Sequence, residues 1–243
     1  YFTDDWPDNR PGARLTKESL ENLEPFDIPS MPAIRELDRQ MDLLEEHFGM
    51  IHGYLNYQGI LNIALKLRGN DLFLDMVDDP GFVHRLFAHI AETIAQTALH
   101  VQARQRRSGF AVDLLSMSNC VMNMISPGLY ERFVLPLDEA LSRRFELFGV
   151  HTCNWTIDPY LDSLRKIGNM GYLDMGMDSD MGRAREMFPE ARRAVLYSPV
   201  ALTQKDVAAI RRDIGRIHRE LAPCDIVMAD ITADTPDERV RAF

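Results

Sequence analysis

Phe148-Gly149-Val150-His151-Thr152-Cys153-Asn154-Trp155 is a short apolar run that ends in polar side chains, and Asp158-Pro159 just beyond it opens a helix. Such a run, bounded by a helix start, reads as a buried strand. In an extended backbone alternate side chains point the same way, so His151 and Cys153 leave the strand tip together. An imidazole and a thiolate are two of the ligands a zinc ion takes. The pair also suits plain packing, because Cys is among the most buried residue types and His is often a satisfied core residue.

The same strand-then-helix rhythm runs outward on both sides. Upstream, residues 1–30 are rich in Pro, Asp and Asn and read as an irregular lead-in with a short helix at 16–23. Ile34, Leu37, Met41, Leu44 and Phe48 keep the spacing of one buried helical stripe, stopped by Gly49. Residues 50–55 read as a strand and 58–68 as a helix ending at Gly69. Asp79 then caps and Pro80 starts a helix whose stripe (Phe82, Val83, Leu86, Phe87, Ile90, Ile94, Ala98, Val101) runs to Gly109. Strand 111–116 leads to Ser126-Pro127 and a helix to Gly149.

Downstream, helix 159–167, strand 171–175, helix 180–188 and strand 194–198 follow. Thr203 with Asp206 has the form of a capping box for a helix through Ile210, Ile214, Ile217 and Leu221. Strand 225–229 and a last cap at Thr235-Pro236 end the pattern.

Strands alternating with amphipathic helices predict an α/β fold with parallel strands. Six strands are two short of a (β/α)8 TIM barrel, and no glycine-rich phosphate loop favours a doubly wound sheet instead. The expectation is a single barrel domain over 1–243. It reads as truncated at the N-terminus and in the last helix, since the chain opens on Tyr1 and stops at Phe243 in mid-pattern.

Composition narrows the function classes. At 243 residues with 46% apolar and 26% charged side chains, the chain can bury one large core. A net charge of −10 disfavours a nucleic-acid partner. No apolar run is long enough for a membrane span, and three cysteines fit a reducing cytoplasm better than a disulfide scaffold.

In a barrel, chemistry gathers at the C-terminal ends of the strands. Those ends carry His52, Ser116 with Asn119, His151 with Cys153, Asp174 with Asp178, Ser198, and Asp230. Strand-end Asp and Ser are also ordinary helix caps, most plainly Asp178 and Asp180.

With these motifs in place, the chain resembles the uroporphyrinogen decarboxylase superfamily. The likeness lies in Leu67-Arg68-Gly69 with Asp78-Asp79-Pro80, in Ile125-Ser126-Pro127 through Arg132-Phe133-Val134-Leu135-Pro136, and in Asp234-Thr235-Pro236 with Arg239-Val240. The resemblance implies a (β/α)8 barrel. His151-Thr152-Cys153-Asn154 is similar to the H-x-C-G of the family's zinc-dependent methyltransferases, which move a methyl group between a corrinoid and a thiol. It therefore implies a methyltransferase with His151 and Cys153 as zinc ligands.

The sequence also departs from that pattern. The methyltransferases carry a third ligand, a Cys, just before the closing Thr-Pro, where this chain has Ala229 followed by Asp230. Cys224 sits at the start of its strand, the wrong end of a barrel, which leaves Asp230 or Cys120 to complete the set. The metal ligands expected are thus His151, Cys153 and Asp230, with Asp230, Asp174 and Asn119 as catalytic residues. His52, Ser116, Asn154 and Ser198 are expected to bind cofactor or substrate. A small-molecule substrate is implied, with a corrinoid carried by a partner protein and oligomerisation open.

Two alternatives stand beside this. One is decarboxylation of a porphyrinogen, for which the third strand tip lacks the family's Asp. The other is a drifted barrel without metal chemistry.

Overall fold

The computed structural model describes residues 14–228 and 231–242. Its contacts divide the chain into two compact units, one of Tyr1–Tyr54 with Gln58–Val112 and one of Leu55–Tyr57 with Asp113–Phe243.

The first unit is helical: α1 (Lys17–Glu21), α2 (Pro32–Phe48), α3 (Ile60–Arg68), α4 (Asp71–Asp78) and α5 (Pro80–Arg107). The start of α5 is the one the sequence predicts, with Asp79 Oδ1 accepting from the Phe82 N–H at 3.0 Å. Every residue of its expected stripe is buried. The stripe of α2 is shorter than its spacing suggests, since Phe48 is 58% exposed. Helix α4 is an addition; Leu72 and Met76 bury its inner side. The strand expected at 50–55 does not form. Side chains from the end of α5 take its backbone groups instead: the Ile51 N–H donates to Ser108 Oγ at 2.9 Å, and Gln105 Nε2 donates to the Gly53 carbonyl at 2.8 Å.

The sheet contains β1 (Tyr57–Gln58), β2 (Leu114–Ser118), β3 (Leu147–His151), β4 (Met170–Gly176), β5 (Arg192–Tyr197) and β6 (Asp225–Met228), in sequential order. From β2 to β6 each strand is parallel to the next. Sequential parallel order is the winding of a barrel; a doubly wound sheet reverses at a switch point. Five strands of such a winding, β2 to β6, stand among the described residues.

The strands separate two kinds of face. Leu115, Met117, Phe148, Val150, Leu173 and Met175 are fully buried and alternate with Ser116, Ser118, Gly149, His151, Tyr172 and Asp174. Register places Ser116, Gly149 and Tyr172 side by side. A Cβ on Gly149 would lie 2.9 Å from Ser116 Cβ and 3.0 Å from Tyr172 Cβ, so glycine lets this polar face close up.

Several expected helices are shorter than their patterns. The helix after Ser126 breaks into α6 (Pro127–Phe133) and α7 (Leu135–Ser142), because Pro136 lacks the N–H that a continuous helix needs. The 159–167 segment is a 3₁₀ turn, Asp158–Tyr160, and then only α8 (Leu161–Leu164). Asp180 caps α9 (Met181–Met187) as expected. The Thr203–Asp206 capping box is corrected: Ser198 caps α10 (Pro199–Gln204), which contains Thr203, and Asp206 caps α11 (Val207–Leu221) directly. Thr235 does not cap α12 (Asp237–Arg241); its hydroxyl accepts from the Thr232 N–H at 3.3 Å. Among the described residues no helix is long and apolar enough to cross a membrane.

Candidate metal centre

The polar face of β2, β3 and β4 ends in a cluster of donors. Ser118 and His151 are paired across β2 and β3, and Val150 pairs with Leu173, which sets Asp174 beside His151 on the other flank. Asp174 is 2% exposed. Its Oδ2 hydrogen-bonds His151 Nδ1 and accepts from Tyr172 Oη at 3.1 Å. Its Oδ1 accepts from the Thr152 N–H at 2.7 Å, and the Thr152 hydroxyl donates to the Asp174 carbonyl at 2.9 Å. A carboxylate with that many donors holds the imidazole in one orientation.

The other ring nitrogen, His151 Nε2, lies 3.0 Å from Cys153 Sγ. Cys153 Sγ lies 2.9 Å from Cys120 Sγ. These three ligand atoms all fall within 4.8 Å of one another, and all three residues are half-buried. The way His151 and Cys153 converge differs from the strand alternation expected of them. Strand β3 stops at His151, and Cys153 sits in the following turn with a φ of 60°. Two residues of extended strand would separate the side chains by about 6.6 Å; the left-handed residue closes that gap.

The turn is seated against the end of β4. The Gly176 N–H donates to the Trp155 carbonyl at 2.8 Å, and a Cβ at Gly176 would lie 2.3 Å from the Asn154 carbonyl oxygen. Backbone cannot yield as a flexible side chain does. Gly176→Ala is expected to destabilise the chain by about 1–3 kcal/mol and to spoil the placement of Cys153. A lowered urea midpoint together with reduced zinc stoichiometry would show it; an unchanged midpoint would mean that the turn is not seated there.

Cys120 is held from behind. The Asn119 N–H donates to the His151 carbonyl at 2.7 Å, extending the pairing past the end of β2. Asn119 Nδ2 donates to Asp138 Oδ2 at 3.4 Å, and Tyr130 Oη donates to the same oxygen at 2.8 Å. Asp138 is fully buried, and burial pushes its carboxyl up to about 7, against the lowering effect of those two donors. Among the described residues, Asp138 Oδ1 and Asn119 Oδ1 are buried without a hydrogen-bond partner. A buried carboxylate oxygen left without a donor is what protonation of the carboxyl relieves.

Burial alone draws the His151 imidazole down, but the hydrogen bonds and charges of Asp174 and Cys120 outweigh it and push it up to about 10. Burial and then the Asp174 charge raise Tyr172.

The donor set fits zinc. One imidazole nitrogen and two thiolates are the borderline-soft ligands this ion prefers, and Asp174 completes the carboxylate–histidine support usual behind such a ligand. Tetrahedral zinc bonds would put such donors about 3.6–3.8 Å apart, so Cys153 Sγ, now 3.0 and 2.9 Å from the other two, would stand back by less than about 1 Å.

The remaining expected residues fall as follows. Ser116 shares the polar face with His151, two residues deeper along β2. Asn154 is exposed in the turn. Ser198 Oγ accepts from the Ala201 N–H at 3.4 Å as the cap of α10. His52 lies in the first unit, exposed, with its ring edge-on to Phe110 at 5.4 Å. Asp230 lies outside the described residues.

A solved methyltransferase shares this fold. The structure, "methyltransferase from Methanosarcina mazei", superposes with a TM-score of 0.68 at 14% identity, over 92% of this chain and 66% of its own. The chain thus spans about two-thirds of that protein's length. No protein-family model and no curated protein matches the sequence.

Proposed function

We propose that this chain is a methyltransferase-like enzyme of the uroporphyrinogen decarboxylase superfamily, holding zinc on Cys120, His151 and Cys153. The observation that carries the reading is the convergence of these three donors with Asp174 on the far ring nitrogen of His151. The fold shared with a methyltransferase supports it. Zinc supplies the chemistry of lowering a thiol's pKa and holding it as a thiolate, the nucleophile for a methyl group. Three protein ligands leave one position for a substrate thiol or methylated small molecule.

The chain's own residues prepare that position. Asp174 accepts the hydrogen bond of the His151 Nδ1–H and so sets Nε2, on the sulfur side, as the nitrogen that would take the ion as its proton leaves. Asn119 and the buried Asp138 keep the segment carrying Cys120 against β3. Gly176 seats the turn that carries Cys153. Trp155, 54% exposed, offers an apolar surface directly after that turn. The other reactant is a corrinoid carried by a partner protein, and of the two third-ligand candidates the sequence offered, Asp230 and Cys120, Cys120 takes the role.

Elemental analysis of the purified protein and of Cys153→Ala tests the reading. Zinc near one equivalent per chain is expected in the first and a small fraction of that in the second. Absence of zinc from both would leave a barrel without metal chemistry, and His151 and Cys153 would be packing residues.

A further inference from the structure

We propose that Cys120 and Cys153 are a reversible two-electron oxidation site, in which a hydroperoxide joins the two sulfurs as a disulfide. The oxidation stands on the sulfur geometry alone. Its consequence, that the bond withdraws two ligands and releases the ion, rests on the zinc reading above.

Register makes the pair. Ser118 and His151 are direct partners across β2 and β3, and Cys120 and Cys153 each lie two residues further on. The Asn119–His151 backbone bond at 2.7 Å continues the pairing between them. The sulfurs already stand 2.9 Å apart. Both residues are half-buried, which admits a small peroxide.

The step balances simply. The Cys153 sulfur attacks one peroxide oxygen, and its proton ends on the departing oxygen. The O–O bond breaks, leaving an alcohol or water and a sulfenic acid on Cys153. The Cys120 sulfur then displaces that hydroxyl as water, forming the S–S bond; two thiols are oxidised and one peroxide is reduced. Cys224 serves as an internal control. It precedes β6 in a parallel sheet, so it lies at the opposite end from two residues that follow the ends of β2 and β3.

The test treats the full chain, reduced and stripped of metal by a chelator, with a small excess of hydrogen peroxide. Thiol counting, intact mass and peptide mapping should show two of the three thiols lost and the chain lighter by two hydrogens. The mapped bond should join Cys120 to Cys153, Cys224 should remain reduced, and dithiothreitol should reverse the change. Cys224→Ser should behave like the native chain. Retention of all three thiols, a bond through Cys224, or irreversible oxidation of a single cysteine would overturn the proposal. Zinc loading of the reduced and oxidised forms separates the two readings. Disulfide without zinc uptake in either form removes the metal reading and keeps the oxidation site; zinc uptake with no disulfide does the reverse.

Discussion

Asp174→Asn is expected to cut zinc affinity by about 10- to 100-fold while leaving the chain folded. The buried Thr152 N–H points at Asp174 Oδ1 from 2.7 Å, so the amide oxygen must stay on that side. The amide nitrogen then takes the place of Oδ2 and faces His151 Nδ1. An acceptor is replaced by a donor, and the imidazole answers by moving its proton to Nε2. Metal binding at Nε2 would then force a hydrogen onto Nδ1, against the amide donor. The opposite amide orientation sets its NH₂ against the Thr152 N–H, a buried clash of donors costing about 1–3 kcal/mol. Competition with a chromogenic chelator measures the affinity. A value within twofold of native would mean that the carboxylate does not orient the ligand.

The second large effect is on stability and comes from Asp138. Its folded-state value of about 7 lies above the ordinary 3.8, because burial penalises the charged form. Between those values the unfolded chain has lost the proton and the folded chain keeps it. Stability from this group is therefore full below about pH 4, falls as pH rises, and is gone above about pH 7. The range corresponds to a loss on the order of 4 kcal/mol.

Asp38, Asp79, Asp213 and Asp225 carry lowered values and tilt the total the other way. The comparison must therefore be with Asp138→Asn, whose amide cannot ionise and has an NH₂ to offer near Asn119 Oδ1. Urea unfolding should give similar stabilities near pH 4 and a variant several kcal/mol ahead near pH 8. Equal stabilities at both pH values would show that Asp138 is charged throughout.

Two of the three donors in the Cys120–His151–Cys153 group were singled out together in the sequence. His151 and Cys153 stand two apart at the end of an apolar run, and the helix start behind them marks that run as a strand. Cys120 was named beside Asp230 but ranked after it, because strand ends are poorly marked by composition. Reading β2 as 111–116 rather than Leu114–Ser118 hid that Cys120 stands two residues past its end, as Cys153 does past β3. Asp138 gave no signal at all. It lies in a helix, and its burial follows from how α7 packs.

The parallel winding was legible from the alternation of strands and helices. The strand at 50–55 was misread because a buried Ile51 resembles a strand residue, while its backbone partners are side chains some 50 residues away. Helix α4 was missed because Asn70 makes no side-chain cap bond to mark its start.

The φ of 60° at Cys153 has a consequence for how this protein can be altered. A left-handed backbone costs any residue with a Cβ about 1–2 kcal/mol and costs glycine almost nothing. Mutagenesis scored by heat resistance alone would therefore reward glycine at 153 and discard the sulfur without notice. Cysteine at this position is a choice made against the backbone's own preference, and a screen for hardier variants needs a second score that reads the thiol.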